Sequence, residues 1–484
     1  MVERVKVVIV GSGFAGLCMG IKLQQAGYRD FVILEKADGL GGTWRENTYP
    51  GAECDVPSAL YSYSFEHNPE WEYKWSGQKQ ILKYQHDTAA KHGLDKFIRF
   101  KQEVCSAVFN DDTQRWLVTT QSGHQFDTQH FVTAVGQLHK TFTPKIKAVE
   151  QFCGEVFHSA QWNHSINLAG LNVGVIGNAA SAVQLVPEVA KAAAQLTVFQ
   201  RSPNWTLPKV DRPYHKWEQR LSMNFPWVAR MYRWFIWATG EYGILPAING
   251  NRLARWAVRK ACLKNINDAI KDPVLRASLI PDYPVGAKRV LFSDHYFPTL
   301  ANSHVSLDTH GIDSFTADGI KNKVGTEYQL DVVIYATGFE TNPFLADIDV
   351  SGSAGLSIRD AWSKGAQAYL GMTSNGFPNM YLLYGPNTNL GHTSIIIMLE
   401  AQVNYIVEMI RSIDEKGMMA CEVKHHAEEA YNNEIQSRLR RMAFSKVANS
   451  WYIDGGRVTN NWAGGTREYV RRLKNITWQD YLLR

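Results

Sequence analysis

The stretch VKVVIVGSGFAGLCMGIKLQQAG near the start of the chain leaves little choice of fold. An unbroken, β-branched apolar run ending at Val10 predicts a buried strand, and the pattern after Gly13 predicts a helix. Between them Gly11, Gly13 and Gly16 complete G-x-G-x-x-G. Each glycine answers a different physical need. Gly11 allows a tight turn, Gly13 lets the backbone approach a pyrophosphate, and Gly16 packs the helix closely on the strand. Phe14 and Ala15 then open the helix, where unpaired N–H groups and the dipole favour an anion. The next strand, FVILEKA, closes a βαβ unit, and Glu35 falls 24 residues past Gly11. An acid there bonds a ribose 2′-hydroxyl and repels a 2′-phosphate, so this loop suits FAD or NAD rather than NADP. The bland alternative is a glycine turn that touches no nucleotide.

A second unit starts at Val173 and leads into VIGNAASA. Gly177 keeps the tight turn, with Asn178 and Ser181 as further loop contacts, but Ala179 and Ala182 replace the other two glycines. Alanine at the third position is an accepted variant, whereas Ala179 puts a methyl group where the pyrophosphate should approach. The same step of 24 residues, taken from Gly177, reaches Arg201 and then Ser202. A guanidinium and a hydroxyl suit a 2′-phosphate. A chance surface arginine is the competing explanation. We expect NADPH here, held weakly or slightly displaced. An FAD-type and an NADPH-type loop in one chain imply hydride transfer to a flavin.

At 484 residues the chain predicts two or three domains. Its net charge of +5 comes without any block of consecutive Lys or Arg, which disfavours nucleic acid as a partner. Its six cysteines are scattered, so neither a disulfide framework, a zinc site nor a redox dithiol is expected, and no metal is assigned. The chain opens on a strand rather than a signal peptide, and its most apolar run, 231–248, is broken by Arg233, Glu241 and Pro246. A cytoplasmic protein without stable membrane insertion is expected. Oligomeric state is not legible.

Texture changes between about 212 and 284, where aromatics recur at helical spacing. Six of the 15 tryptophans lie between positions 205 and 256, so this region carries more than its share of aromatic surface. Core packing with snorkelling arginines is the expectation. A substrate lid and a membrane-surface patch are the alternatives.

Two further stretches add a resemblance. GGTWRENTYPGAECD (41–55) follows the first unit, and FCGEVFHSAQW (152–162) precedes the second. They resemble the two signatures of Baeyer–Villiger monooxygenases within the flavin-containing monooxygenase superfamily. The second matches through Phe152, Gly154, His158 and Trp162, but Asn163 stands where the family usually has Pro or Asp. YPVGAKR (283–289), ATGFE (336–340), GPNTNLGH (385–392) and SWY (450–452) also look like family blocks. The resemblance implies that NADPH reduces FAD, and that O2 then gives a C4a-peroxyflavin. This attacks a ketone to form an ester or lactone, with sulfoxidation of a small sulfide as a side activity. It further implies that Arg289 is the catalytic arginine and that Asp55 orients it. An arginine suits this role because it keeps its charge in a dry pocket, where lysine would lose it. Lys288 would help bind the 2′-phosphate, and Gly42, Thr43, Trp44 and Tyr61 would lie along the FAD. His158 is expected to act as a hydrogen-bonded linker and His392 as a structural residue, with Trp451 and Tyr452 either core or cleft lining.

The expected architecture is an α/β chain with two Rossmann-like dinucleotide-binding domains. A discontinuous FAD domain would span 1–145 and 340–484, an NADP domain 146–211 and 285–339, and a helical insertion 212–284. A heteroatom hydroxylase, a peroxide-releasing NADPH oxidase and a non-catalytic nucleotide binder are the alternatives. The absence of paired cysteines argues against a disulfide reductase.

Overall fold

A computed structural model of the protein describes residues 2–340, 344–345, 347–443, 453–454 and 456–484. Strand β1 (Val2–Val10) lies inside an eight-stranded sheet, paired in parallel with β2 (Phe31–Leu34) on one side and Gln125–Thr133 on the other. An antiparallel pair, Val104–Asn110 and Arg115–Thr120, extends the sheet beyond Gln125–Thr133. Two later strands return to it: Asp349–Ser351 pairs with Val104–Asn110, and Met380–Leu382 with Gln125–Thr133. Helix α1 (Phe14–Gln25) follows β1 and is buried on nearly every side, because helix Ile395–Glu415 packs over it. That double covering explains why α1 is apolar all round rather than amphipathic.

The second sheet has five strands, all parallel. β3 (Asn172–Ile176) sits between Val332–Tyr335 and β4 (Gln195–Phe199), with Glu155–His158 and Val305–Asp308 at the edges. Val173, Val175, Val198, Val333 and Ile334 are fully buried. Such continuous apolar runs are what a parallel sheet covered on both faces requires. Helix α2 (Ala180–Ala192) leaves β3 as α1 leaves β1.

Residues 216–278 are helical: Lys216–Asn224, Pro226–Thr239, a π-turn Gly240–Ile244, Leu245–Ile248, Arg252–Ala269 and Pro273–Ser278. Core packing of their aromatics is not what the structure has. Of the six tryptophans, Trp217, Trp227, Trp234 and Trp256 are exposed, whereas Trp205 is buried and the half-buried Trp237 packs against the core. Snorkelling fails too at Arg233, which is buried and donates to the carbonyls of Ala59 (2.9 Å) and Leu60 (3.2 Å) and to Ser62 Oγ (3.2 Å). All three bonds come from Nη1, so this end of the guanidinium is buried with its hydrogen bonds made. No helix among the described residues is long and apolar enough to cross a membrane.

Candidate active site between two nucleotide loops

The first loop separates glycines that the fold needs from one that it does not. Gly11 has φ +102°, and a Cβ there would lie 2.6 Å from the Ala134 carbonyl oxygen. At Gly16 a Cβ would meet the Gly11 carbonyl oxygen at 1.9 Å. Gly13 is different: its backbone is ordinary and extended, and its Cβ would find only Gly42 Cα, at 3.8 Å. The open space faces the first turn of α1, which has no side-chain cap. Uncapped amides beside a missing Cβ form a cradle that fits a pyrophosphate. At the end of β2, the buried Glu35 has both oxygens fixed. One accepts from the Ser12 amide (2.9 Å) and hydroxyl (2.7 Å), the other from the Ala37 amide (3.0 Å).

The second loop repeats this backbone with different side chains. Gly177 has φ +116° and lies against the Ala336 carbonyl, where a Cβ would be at 2.4 Å. Ala179 has the extended conformation of Gly13 (φ −86°, ψ −161°, against −77°, −169°), so its methyl group is carried without strain. Helix α2 also lacks a side-chain cap. The register corrects the equal-step argument by one residue. The Gly11 amide bonds the Leu34 carbonyl, and the Gly177 amide bonds that of Phe199. The counterpart of Glu35 is therefore Gln200, and Arg201 lies one position beyond.

Gln200 accepts from Asn178 Nδ2 (2.8 Å) and donates to the Ser278 carbonyl (2.9 Å). Asn178 Nδ2 also donates to the Ser202 carbonyl at 2.8 Å, fixing the turn that presents Arg201. Lys288 donates to Ser202 Oγ (2.9 Å) and lies over the Tyr283 ring. Burial pushes the Lys288 ammonium down from its usual range, and the nearby charge of Arg201 adds to the shift. Arg201, Ser202 and Lys288 are thus gathered, with a neutral amide where the first loop has an acid.

Between the loops, Arg289 Nη2 meets Asp55 Oδ2 at 3.1 Å, and Asp55 is nearly buried. Its other oxygen accepts from Gln184 Nε2 (3.0 Å), which projects from α2. The amide of Gln184 is fully used: Nε2 also donates to the Glu53 carbonyl (3.0 Å), and Oε1 accepts from Tyr49 Oη (2.8 Å) and the Glu53 amide (3.3 Å). Glu53 in turn pairs with the buried Lys209, although burial still raises its carboxyl above the usual range. Gln184, Tyr49 and Lys209 escape sequence reasoning. One signal existed for Gln184: seven residues past Gly177 stands an amide, where the same step from Gly11 reaches the fully buried Cys18.

Trp44 Nε1 donates to Tyr61 Oη (3.1 Å), and the Phe14 ring meets Tyr61 edge-on at 5.2 Å. Thr43 opens the short helix Thr43–Glu46 behind Gly42. One cleft, with a cavity volume of about 400 Å³, is lined by Gly11, Gly13, Phe14, Ala15, Glu35, Gly42, Thr43, Trp44, Asp55, Tyr61, Ser181 and Arg289. Gly16 lies outside it as a packing residue, and Gly177, Asn178, Arg201, Ser202 and Lys288 stand apart around the second loop.

The second signature is built into the frame. His158 ends an edge strand, is buried, and accepts from the Ala160 amide (3.1 Å), while Trp162 packs edge-on to Phe157. Burial lowers the His158 pKa. His392 pairs with the buried Glu241 (3.2 Å), which also accepts from the Thr466 amide and hydroxyl. Ser450, Trp451 and Tyr452 lie outside the described residues.

Comparisons with known proteins give the family and the fold. Residues 4–353 match the model of the flavin-binding monooxygenase-like family. A Baeyer–Villiger monooxygenase of Streptomyces coelicolor is 37% identical over 482 residues, covering 99% of this chain and 92% of the relative. Another, of Pseudomonas aeruginosa, is 38% identical over 464 residues, covering 95% and 88%. Among solved structures, an oxidized steroid monooxygenase bound to NADP superimposes with TM-score 0.89 at 29% identity, covering 99% of both chains. A closed cyclohexanone monooxygenase gives 0.89 at 26%, covering 100% of both.

Proposed function

This chain belongs to the flavin-binding monooxygenase-like family, and on that premise we propose that it is an FAD- and NADPH-dependent Baeyer–Villiger monooxygenase. It inserts one oxygen atom of O2 beside the carbonyl of a small ketone, giving an ester or lactone. The observation that carries this is the Arg289–Asp55 pair, held in a cleft that also contains the first nucleotide loop and the head of α2.

Gly11, Gly13, Phe14, Ala15 and Glu35 would hold FAD, with Gly42, Thr43, Trp44 and Tyr61 along it. Gly177, Asn178 and Ser181 would hold NADPH, with Arg201, Ser202 and Lys288 on its 2′-phosphate. Once bound and reduced by NADPH, FAD supplies the activation of O2. The protein supplies position and charge. Arg289 places a permanent cation where the attacked carbonyl oxygen becomes negative. Asp55 fixes the direction of that guanidinium, and Gln184 fixes Asp55, so a change at the NADPH helix reaches the cation through two hydrogen bonds. Trp44, Tyr61 and Phe14 form an apolar wall that limits water.

The domain bounds belong to the same proposal: FAD domain 1–145 and 340–484, NADP domain 146–211 and 285–339, helical insertion 212–284. The return of Asp349–Ser351 and Met380–Leu382 to the first sheet supports the discontinuous FAD domain. The cytoplasm is the proposed site of action. A panel of ketones and sulfides, with products identified and hydrogen peroxide counted, tests the proposal. Esters or lactones should dominate. Peroxide alone would mean an NADPH oxidase, and heteroatom oxides without any ester would mean a hydroxylase.

A further inference from the structure

Helix Pro226–Thr239 is amphipathic in the wrong sense. Trp227, Met231, Trp234 and Phe235, which share one face at spacings of three and four, are 54%, 62%, 62% and 59% exposed. The opposite face buries Arg233. Helix Lys216–Asn224 adds exposed Leu221 and Met223, followed by exposed Phe225. Between the two helices runs an apolar groove with a cavity volume of about 560 Å³. Contiguous exposed apolar surface of this kind marks an interaction site.

Charge identifies the occupant. Residues 212–264 contain ten Lys or Arg and two Asp or Glu, a net +8, whereas the whole chain carries only +5. Both acids are turned inward. Glu218 is held by Arg212 (2.7 Å) and Lys74 (2.9 Å), and Glu241 is buried beneath His392 and Thr466. Lys216, Arg220, Arg230, Arg252, Arg259 and Lys260 are exposed. A second copy of this face would set Lys216, Arg220 and Arg230 of each copy against a surface of like charge. An anionic bilayer instead accepts the aromatic rings at its interface and the basic side chains at its phosphates.

We propose that the face formed by Lys216–Asn224 and Pro226–Thr239 docks on an anionic lipid surface. It rests there without crossing, since a helix of 14 residues is too short to span. Arg233 ties this helix to the turn 59–62, which carries Tyr61 of the cleft. The helix that carries the docked face is therefore tied, through its opposite side, to a turn that lines the cleft.

The test uses the full-length, FAD-loaded protein in co-sedimentation with vesicles of phosphatidylcholine alone or mixed with phosphatidylglycerol. Binding should require phosphatidylglycerol and weaken as salt is raised. The triple variant W227S/W234S/F235S should bind about tenfold less or weaker still. Each of Arg220→Gln and Arg230→Gln should lower binding by about fivefold. Unchanged flavin absorbance and NADPH-driven flavin reduction in each variant confirm that it is folded. Equal binding by the triple variant, or no binding to anionic vesicles, would overturn the proposal. So would a concentration-dependent dimer that the triple variant abolishes while vesicles remain unbound.

Discussion

Gly13 and Ala179 hold the same extended backbone at the head of uncapped helices, yet only one of them carries a Cβ. Neighbouring positions show no such freedom: Gly11 and Gly177 both have positive φ and both press on a carbonyl oxygen. The two loops thus divide a glycine motif into a part that the turn demands and a part that the turn leaves free. The second difference lies at the ends of β2 and β4. Glu35 is an anchored acid, whereas Gln200 is neutral and is followed by Arg201. An acid suits a ribose hydroxyl, and an amide followed by a cation suits a phosphate. One backbone thus carries two sets of side chains, which we propose suit two different nucleotides.

The comparison breaks first, if it breaks, at Gly13. Replacing it with alanine should lower FAD affinity by about a hundredfold, through lost charge-assisted hydrogen bonds to the pyrophosphate. The melting temperature of the FAD-free protein should stay near that of the parent. A Gly13→Ala melt as depressed as that of Gly11→Ala would mean that the fold needs both glycines. Next in size is Arg201→Ala, expected to raise KM for NADPH about thirtyfold with little change for NADH. Equal changes for the two would remove Arg201 from the phosphate site.

Lys288 sharpens the same contrast through pH. Its folded pKa is lowered, so its positive charge is present at low pH and lost as pH rises through a value below the ordinary lysine range. In steady-state kinetics, kcat/KM for NADPH should fall about fivefold on that alkaline limb, and that for NADH should not. Lys288→Arg should flatten the limb. The smallest effect is expected from Ala179→Gly, which should tighten NADP+ by about threefold in equilibrium binding by relieving the methyl contact. Unchanged or weaker binding would show that Ala179 is no obstacle.

Both loops are legible in the sequence because strand, turn and helix follow one another within a few residues. The same holds for Glu35, whose place depends only on the length of one βαβ unit. For Arg201 that logic is off by one, since the second unit reaches its strand end one residue sooner. The Asp55–Gln184 bond is not legible, because it joins residues 129 positions apart on different elements. The exposed face of Pro226–Thr239 is misread for a related reason. Periodicity says which residues share a face, but not whether anything covers it. Here Arg233 faces inward, bonded to the carbonyls of Ala59 and Leu60, and the aromatics lie on the outer side.

The most direct measurement of the central claim separates flavin reduction from oxygen transfer in Arg289→Ala. Under anaerobic conditions NADPH should still bleach the bound flavin at a rate near that of the parent, because both nucleotide loops are intact. With air and a ketone, the ester or lactone should disappear and the consumed NADPH should be recovered as hydrogen peroxide. Parental yields of ester from Arg289→Ala would contradict the role given to Arg289 and, with it, the account of this cleft.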